Sequence, residues 1–375
     1  MTLLIYILIG IFVLRTLIFI VGVAMELSKD KKIIKPNNLP FVSAIVPARN
    51  EEKHIANCIK SISENDYPIN KYEIIAINDR STDSTGEILD SLKEQIPNLQ
   101  VIHNDNEKAI KNLQGKPGAL QLGINSANGE IIMMTDADCI VGKKWIYLNS
   151  ICYNNPNLGM TAACTNVLNN NFFSSLQSVE WIYLHTMAVA GIGLNAPLSC
   201  FGNNISFSKA VLDKIGAYSA VNFSVTEDLA MMMHIFNNGY DIRFLSNFDS
   251  TVNTQPNKTF KEYFNQHHRW VIGGLGLGAK AVLYVLTTIA IWLAIILPIF
   301  TGDYILSLIA ILTRAICDIV LILPTLNRLN RRNLIPYLIP SFLFINFMEL
   351  LAPFMTLKKN VKWKNQTFKT RKKEI

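Results

Sequence analysis

The feature that most constrains this chain is the position of its longest apolar runs, which lie near its two ends. Leu3–Ala24 is almost wholly apolar and exceeds the roughly 18 residues that indicate a membrane-spanning helix. A second apolar block extends over Ala281–Met355. Hydrophobic residues make up 50% of the chain, more than one soluble domain usually carries. The pattern predicts a membrane protein with one soluble domain between its membrane segments.

The N-terminal run is predicted to be a retained membrane anchor. A secretory signal peptide is the alternative, but it needs basic residues before the apolar run and a small-residue cleavage site after it. Neither is convincing in this sequence. A lysine cluster follows the run, and positive charge beside a span favours the cytoplasmic side for the soluble region. The cluster consists of Lys29, Lys31, Lys32 and Lys35.

The C-terminal apolar block divides into two spans and a third, ambiguous segment. Ala281–Phe300 and Tyr304–Leu323 each approach the length of about 20 residues that crosses a bilayer. The third run, Leu334–Leu357, contains three prolines and Glu349, so a full crossing and a re-entrant segment both stay open. We expect a multi-pass protein of the plasma or inner membrane with a cytoplasmic soluble domain. The predicted regions are a membrane helix at 1–27, a soluble domain at 37–278, a membrane region at 281–357 and a basic tail at 358–375.

The net charge of +7 predicts contact with anionic lipid headgroups, because much of the basic excess lies beside the membrane segments. Basic chains also bind nucleic acid, but these basic residues are not interleaved with a stacking platform or a recognition motif. We therefore expect no nucleic-acid partner. The six cysteines show no metal-type spacing and fit reduced thiols in a domain that faces the cytosol. The sequence leaves the oligomeric state unknown.

Between the membrane segments, short apolar runs alternate with amphipathic stretches. The run Phe41–Val46 is rich in β-branched residues, and helical spacing follows over Glu51–Ser63. This alternation predicts an α/β domain with a mainly parallel sheet covered by helices, whose ligands bind at the carboxyl ends of the strands. The further predicted elements are Tyr72–Ile77, Ser84–Leu92, Leu99–His103, Pro117–Ser126 and Glu130–Thr135.

Two polar loops leave the first two predicted strands. They are Pro47–Glu52, with the sequence PARNEE, and Asn78–Asp83, with the sequence NDRSTD. Loops after neighbouring parallel strands can contact one flat ligand from two sides, with Asp79 accepting from a base N–H and Glu51 reaching a ribose hydroxyl. Turn chemistry is the alternative, because Asn, Asp, Ser and Thr also cap helices. Their joint occurrence at two strand ends favours a nucleotide.

Asp136 and Asp138 follow the most hydrophobic strand of the soluble region. Residues i and i+2 of an extended segment share a face, so the two carboxylates are expected to converge on one point. Two such carboxylates repel unless a cation joins them, and hard oxygen ligands favour Mg²⁺ or Mn²⁺ bridging to phosphate. A solvated turn is the alternative, and the position at a strand end favours the metal.

Three further polar residues stand at predicted helix starts. Glu227 and Asp228 precede a helix over Leu229–Phe236, where they suit the helix dipole with Thr226 as cap. Asp228 also suits a general base for a hydroxyl acceptor. Lys116 is either a surface charge or a diphosphate contact beside a helix N-terminus. The sequence alone leaves both pairs of alternatives open.

The string Gln266-His-His-Arg-Trp270 lies just before the second membrane block. Gln266, Arg269 and Trp270 share a face by their i, i+3, i+4 spacing on a helix predicted to begin near Thr259. A tryptophan with basic neighbours is also an ordinary feature of a membrane boundary. The spacing alone does not separate a ligand-binding face from such a boundary.

Taken in order, these motifs resemble the membrane-embedded inverting glycosyltransferases of family 2. That group contains ceramide glucosyltransferase, hyaluronan and cellulose synthases, and bacterial poly-N-acetylglucosamine synthase. The resemblance covers about Phe41–Trp270, and it is carried by PARNEE, NDRSTD, GKPGAL, TDAD, GNN, TED and QHHRW. Each motif is weak alone, but the ordered set is specific. The resemblance implies a GT-A nucleotide-diphospho-sugar transferase fold with a cytosolic active site.

The resemblance also implies roles for individual residues. Asp228 is expected to be the catalytic base, with Glu227 beside it, and Asp138 with Asp136 to bind Mn²⁺ or Mg²⁺ at the donor diphosphate. The acceptor is expected at Gly202, Asn203, Asn204 and Trp270. Asp79 is expected to contact uracil. The full set of expected contacts with the UDP-sugar is Pro47, Ala48, Arg49, Glu51, Asp79, Lys116, Asp136, Gln266, Arg269 and Trp270.

The chain departs from the family pattern in three respects. His267 and His268 fill variable positions, Arg80 replaces the usual glycine of NDGSTD, and long-chain synthases generally carry more membrane helices. The last departure favours an enzyme that adds one or a few sugars to a hydroxyl of a lipid, lipid-linked or polysaccharide acceptor. A polyprenyl-phosphate sugar synthase and a processive polysaccharide synthase stay as alternatives, although the former group typically lacks the QxxRW string. A non-catalytic scaffold is expected to lose a carboxylate, and none is missing. The sequence determines neither the sugar nor the acceptor.

Overall fold

The structure is a computed structural model, and it describes residues 1–30, 36, 38–105, 113, 115–222, 224–357, 360–363 and 366–369. Its internal contacts divide the chain into two compact units. The helical unit comprises Met1–Ser28, Asn169–Ser199 and Asn257–Ile375, and the sheet unit comprises Lys29–Leu168 and Cys200–Pro256. Most of the lysine cluster after the N-terminal run and most of the basic tail lie outside the described residues.

Strands alternate with helices through the sheet unit, as the hydrophobic pattern predicts. The first ten strands below belong to the sheet unit, and the last two belong to the helical unit. The strands are β1 Val42–Ala48, β2 Tyr72–Asp79, β3 Leu99–Asn104, β4 Ile131–Met134, β5 Ile140–Val141, β6 Leu158–Ala163, β7 Thr165–Val167, β8 Ile205–Ser208, β9 Asp241–Leu245, β10 Val252–Thr254, β11 Asn360–Trp363 and β12 Gln366–Lys369.

The helices fall into short ones that cover the sheet and longer ones in the helical unit. Their bounds are α1 Thr2–Lys29, α2 Ile55–Ser63, α3 Thr85–Gln95, α4 Lys116–Ser126, α5 Trp145–Ser150, α6 Phe172–Gly193, α7 Lys209–Ile215, α8 Glu227–Asn237, α9 Phe260–Gly274, α10 Ala279–Phe300, α11 Tyr304–Arg328 and α12 Leu338–Met355.

A seven-stranded sheet in the order β3-β2-β1-β4-β8-β6-β9 forms the centre of the sheet unit. Strands β1 to β4 are parallel to one another, β8 is antiparallel to both of its neighbours, and β9 is parallel to β6. The predicted α/β fold with a mainly parallel sheet is confirmed. Because β1 to β4 run in one direction, their carboxyl ends lie along one edge, where ligands of such sheets bind.

The first strand continues two residues past its predicted end at Val46. Pro47 lacks an N–H, which normally excludes it from the middle of a sheet. Here β1 pairs with β4 only as far as Ile45, whereas its pairing with β2 continues through Ala48. Pro47 therefore lies beyond the end of one neighbouring strand, and its missing N–H leaves no β4 carbonyl without a partner.

The second helix begins four residues later than its apolar spacing predicts. The carbonyl oxygen of Glu51 accepts the N–H groups of His54 and Ile55, both at 2.9 Å, so the intervening residues form a turn. The predicted apolar face is otherwise correct: its four residues are fully buried against the sheet core, and they are Ile55, Cys58, Ile59 and Ile62.

Four segments of the described residues are long and apolar enough to cross a membrane, and apart from Lys29 at the end of the first they lie in the helical unit. They are Thr2–Lys29, Ala279–Phe300, Tyr304–Arg328 and Arg332–Met355. In the last segment a 3-10 turn precedes α12, and Pro353 lies in the final turn, so α12 itself is unbroken. Length and composition fit a membrane protein. A full crossing by the last segment stays a prediction.

These four segments share a buried polar cluster, although their sequences are otherwise apolar. Arg314 of α11 forms an ion pair with Glu349 of α12, and Trp292 Nε1 of α10 donates to the same carboxylate at 3.2 Å. Arg15 of α1 donates to Thr288 Oγ1 of α10 at 2.9 Å. Because charged groups are costly among apolar helices, such pairs have a large effect on stability.

Helix α6 is the largest element that the sequence analysis missed. Nearly every residue from Ser174 to Gly193 is buried, so the helix has no polar face and no amphipathic period to reveal it. It belongs to the helical unit, together with α9. The predicted boundaries assigned both stretches to the soluble domain at 37–278. Their contacts group them with the apolar helices, and the predicted domain boundaries stay a prediction.

Candidate active site

Lys116 joins two acidic motifs of the sheet unit that lie far apart in the chain. It is the first residue of α4, and its Nζ lies 2.7 Å from Asp136 Oδ1 and 3.1 Å from Glu227 Oε1. Burial alone would lower the pKa of Lys116, but the carboxylates of Asp136, Glu227 and then Asp228 raise it well above its ordinary value. Lys116 is therefore a fixed positive charge among the predicted site carboxylates.

The segment Asp136-Ala-Asp138 lies at the carboxyl end of β4, as predicted, but it is not extended. The N–H of Cys139 donates to the carbonyl oxygen of Asp136 at 3.0 Å and closes a tight turn. The argument from an extended i, i+2 pair was therefore wrong. The turn buries Ala137 and Cys139 and leaves both carboxylates partly exposed, so the pair is still presented at the sheet edge.

Both carboxylates act electrostatically on two nearby cysteines, Cys139 and Cys58. Burial first, and then the negative charges of Asp138 and Asp136, raise the pKa of the Cys139 thiol well above its ordinary value. The same three causes, in the same order, raise the pKa of Cys58. Both thiols are therefore neutral at physiological pH, and neither is suited to be a thiolate ligand or a nucleophile.

The Asp136 and Asp138 pair fits a metal that is held jointly by protein and substrate. Among the residues that the structure describes, no group of three or more His, Cys, Asp or Glu side chains is placed to hold a metal ion. A nucleotide-bound Mg²⁺ typically takes only one or two carboxylates from the protein and completes its shell with phosphate and water oxygens. The described carboxylates suit this smaller set.

Asp228 is held by backbone N–H groups at the start of α8. Its Oδ2 accepts from Gly202 at 2.7 Å, and its Oδ1 accepts from Leu229 at 2.8 Å. A Cβ at position 202 would lie 3.2 Å from Asp228 Cβ and 3.3 Å from Oδ2, which is closer than ordinary contact. The glycine therefore permits the approach that orients Asp228. Thr226 precedes α8, but its side chain makes no cap hydrogen bond, contrary to the prediction.

The two asparagines after Gly202 are used inside the protein. Asn204 Oδ1 accepts from Trp145 Nε1 at 2.9 Å, and its Nδ2 donates to the carbonyls of Cys164 and Ser250. Asn203 Oδ1 accepts from Thr165 Oγ1 at 2.8 Å. These contacts hold the loop that carries Gly202. The expected contact of Asn203 and Asn204 with an acceptor stays a prediction.

The PARNEE and NDRSTD loops interlock at the carboxyl edge of the sheet. Asn50 Oδ1 accepts from the N–H of Thr82 at 2.8 Å, and the N–H of Glu52 donates to Asp83 Oδ2 at 3.2 Å. Pro47 and Ala48 are the last residues of β1, and Arg49 begins the loop. Turn chemistry is therefore present, and it places both predicted nucleotide loops side by side.

Asp79 has two partners that the sequence analysis did not pair with it. Arg80 Nε and Nη2 donate to its two oxygens, each at 3.0 Å, and Asn104 Nδ2 donates to Oδ1 at 2.8 Å. Asn104 ends β3 and is the register partner of Asp79 across β2 and β3. Its signal in the sequence was only a polar residue at the end of an apolar strand. The three residues form one cluster at the strand ends.

The QHHRW string lies on α9 in the helical unit. That helix begins after Thr259, as predicted, with a capping box between Thr259 and Glu262. Gln266 Oε1 accepts from Asn257 Nδ2 at 2.8 Å, and the ring of Trp270 packs edge-to-face on Trp181 at 5.6 Å. The expected contacts of Gln266, Arg269 and Trp270 with donor and acceptor stay predictions.

His267, a variable position in the motif, is held by a buried carboxylate. Its Nε2 lies 2.9 Å from Glu180 Oε1 of α6, and its Nδ1 lies 2.9 Å from the carbonyl oxygen of Tyr263. Tyr263 donates its hydroxyl to Glu180 Oε2 at 2.6 Å. Both ring nitrogens face acceptor oxygens, and this arrangement favours the doubly protonated imidazolium. Burial lowers the pKa of His267, but Glu180 more than offsets this and raises it above its ordinary value.

Glu180→Gln is expected to destabilise the helical unit and to flatten its pH dependence. In the wild type, the raised pKa of His267 contributes stability that is complete below its unfolded pKa near 6.5 and is lost as the pH rises through the folded value. A hydrogen bond between charged groups contributes about 1.5–3 kcal/mol. Thermal unfolding in detergent between pH 6 and 9 measures both effects. Glu94→Gln, on exposed α3, is the control, and an unchanged pH slope in Glu180→Gln would contradict the charged pair.

A family model described as "Glycosyltransferase like family 2" matches residues 39–273. The probable glycosyltransferase YdaM of Bacillus subtilis is 28% identical over 240 residues, which cover 63% of this chain and 55% of that protein. The beta-monoglucosyldiacylglycerol synthase of Nostoc is 29% identical over 244 residues, which cover 63% and 49%. The chain spans about half the length of these curated relatives.

One solved structure aligns over nearly the whole chain. It is the mannosyltransferase PcManGT of Pyrobaculum calidifontis, determined in complex with GDP-Man and Mn²⁺. The TM-score is 0.59 at 18% sequence identity, and the alignment covers 94% of this chain and 98% of that one. A likeness at this identity shows a shared fold. It confirms the predicted GT-A-like α/β architecture.

Proposed function

Since this chain belongs to glycosyltransferase family 2, we propose that it moves a sugar, with inversion, from a UDP-sugar to a hydroxyl of a lipid acceptor at a membrane. The observation that carries the proposal is the position of Lys116, which contacts both Asp136 and Glu227. These contacts support a single site formed by the expected donor motif and the expected base motif. The apolar helices and a relative named as a glucosyldiacylglycerol synthase support a lipid acceptor.

On the donor side, positive charge is needed where the diphosphate leaves. Lys116 remains protonated at the N-terminus of α4, and helix N-termini favour anions. Asp138 and Asp136 would hold Mn²⁺ or Mg²⁺, which when bound offsets charge on the phosphate oxygens. Preorganised charge of this kind is commonly the largest catalytic contribution. The interlocked loops beside Asp79 would hold the nucleoside.

On the acceptor side, Asp228 would act as the general base. It takes the hydroxyl proton while the acceptor oxygen bonds to the anomeric carbon, and the bond to the diphosphate breaks on the opposite face. The two N–H groups on Asp228 orient its carboxylate for this step. Glu227 pairs with Lys116 and therefore supports the lysine instead of sharing the proton transfer.

The test is UDP release by the full chain in detergent, measured with UDP-glucose, UDP-N-acetylglucosamine and UDP-galactose. We expect release with one of these donors to depend on added lipid extract, and the labelled sugar to move into the organic phase. A polyprenyl-phosphate arm separates the phosphate-acceptor alternative. No release with any donor and lipid, or release only with polyprenyl phosphate, would overturn the proposal.

Chelation by EDTA is expected to abolish transfer, and added Mn²⁺ or Mg²⁺ to restore it. The reason is that two carboxylates beside a diphosphate concentrate negative charge that a divalent cation offsets. The measurement is UDP release across a metal titration after EDTA treatment. Asp138→Asn should need a higher metal concentration, whereas the exposed Asp213→Asn on α7 should match the wild type. Full activity in EDTA would remove the metal from the proposal.

A further inference from the structure

Arg80 occupies a backbone conformation that disfavours a side chain. Its φ is 54°, in the left-handed region, and its N–H donates to the carbonyl of Asn78 at 3.2 Å in a tight turn after β2. A non-glycine residue pays on the order of 1–2 kcal/mol in this region. Such cost is tolerated where the surrounding structure or the function requires the side chain. The contacts of the Arg80 side chain indicate its role.

The side chain of Arg80 controls the carboxylate that is expected to contact the base. Asp79 is buried, and the guanidinium engages both of its oxygens in a bidentate pair with two contacts of 3.0 Å. Asn104 fixes Oδ1 from the neighbouring strand. A carboxylate held at three points cannot rotate freely. Its plane and its remaining acceptor direction are therefore set before any ligand arrives.

A carboxylate in a fixed plane discriminates between bases that a rotating one would tolerate. At the same ring positions, uracil presents an N3–H donor beside the O4 carbonyl, whereas cytosine presents an N3 acceptor beside an N4 amine. A carboxylate aimed at N3 therefore accepts a hydrogen bond from uracil and faces a lone pair in cytosine. Accommodating cytosine would require the acceptor and the neighbouring guanidinium to exchange places, which the bidentate pair opposes.

We propose that Arg80 is a specificity-determining residue. It fixes the orientation of the Asp79 carboxylate so that the site binds uracil and rejects cytosine. The inference rests on the proposed function, because it names the base of the same nucleotide donor. Arg80 acts through Asp79 and is a positioning residue. The left-handed backbone brings the guanidinium back onto the preceding residue, and glycine at this position would leave Asp79 with only the Asn104 contact described above.

The test measures binding of UDP and CDP to the full chain in detergent by calorimetry, for the wild type, Arg80→Gly and Arg80→Lys. Losing a hydrogen bond to a charged group typically changes an equilibrium about tenfold or more. We therefore expect the UDP-to-CDP affinity ratio to fall about tenfold in both variants. With the UDP-sugar as substrate, KM should rise more than kcat falls. Arg243→Lys, which alters an Arg–Asp pair elsewhere in the sheet unit, should keep the wild-type ratio.

The outcomes separate this inference from the function on which it rests. A wild type that binds UDP without preference over CDP would overturn the role of Arg80 and leave the transferase proposal standing. Equal losses of UDP and CDP affinity in both variants would show a merely structural role and would also overturn it. A wild type that binds neither nucleotide would overturn both proposals. Thermal unfolding of each variant confirms that a fall in the ratio comes from folded protein.

Discussion

Asp228→Asn is expected to lower kcat about 10²- to 10⁴-fold while UDP still binds, because this range is what a general base typically contributes. The amide keeps the size of the carboxylate but cannot take the acceptor proton. It also cannot accept from both the Gly202 and the Leu229 N–H groups, so one of the two hydrogen bonds is lost. The measurement is kcat for lipid-dependent UDP release, together with the Kd of UDP.

The matched control for this change is Asp213→Asn, an identical substitution on an exposed helix of the same unit. It should leave kcat and Kd unchanged. Turnover within a few-fold of the wild type in Asp228→Asn would remove Asp228 from the role of base. Loss of UDP binding in Asp228→Asn would instead indicate that the substitution disturbs the donor site, because Lys116 lies near the Asp228 carboxylate.

Arg314→Leu is expected to lower the free energy of unfolding by about 3–5 kcal/mol, because it leaves the largely buried carboxylates of Asp318 and Glu349 without their partner. Arg314 is 2% exposed, and its ion pair with Glu349 joins α11 to α12. Asp318 also pairs with Arg314, so replacing Arg314, Asp318 and Glu349 together with leucine should recover most of the loss, because no uncompensated charge is left. The measurement is the unfolding midpoint in detergent, with the surviving fraction followed by size-exclusion chromatography.

Arg332→Leu is the control for the arginine change, since Arg332 is an exposed residue of the same unit and donates to Asn327. Its midpoint should stay near that of the wild type. If the triple Leu variant is as unstable as Arg314→Leu, the expected cost of a lone buried charge is wrong. In that case the pair stabilises the helices through packing around Trp292 and Phe12.

Much of the candidate site could be predicted because its residues belong to short local sequence patterns. Short apolar runs in the sequence predict buried parallel strands. The polar residue that follows such a run lies at the edge of the sheet where ligands bind. Asp79, Asp136 and Asp138 were found in this way. Asn104 was not, because a single asparagine at the end of β3 has no motif of its own. The turn at Asp136 was also missed, since a run of apolar residues does not show where a strand stops.

The pairing of side chains that lie far apart in the chain could not be predicted from the sequence. Lys116 has either a surface or a site role by local criteria, and only the fold shows Asp136 and Glu227 around its Nζ. His267 has no periodic signal that would connect it with Glu180 of α6. Charges separated by a long stretch of chain meet only if the connections between elements bring them together. The local propensities of the residues do not predict such a contact.

The sequence by itself determined the apolar helices, the mainly parallel sheet and the polar loops, because hydrophobic length and period depend on neighbours along the chain. Tertiary structure decided which stretches belong together. It placed α6 and α9 with the apolar helices, brought the amide of Asn104 to Asp79, and gathered the carboxylates at Lys116. The physical reason is that burial can be read from local pattern, whereas a contact between distant residues depends on the path of the whole chain.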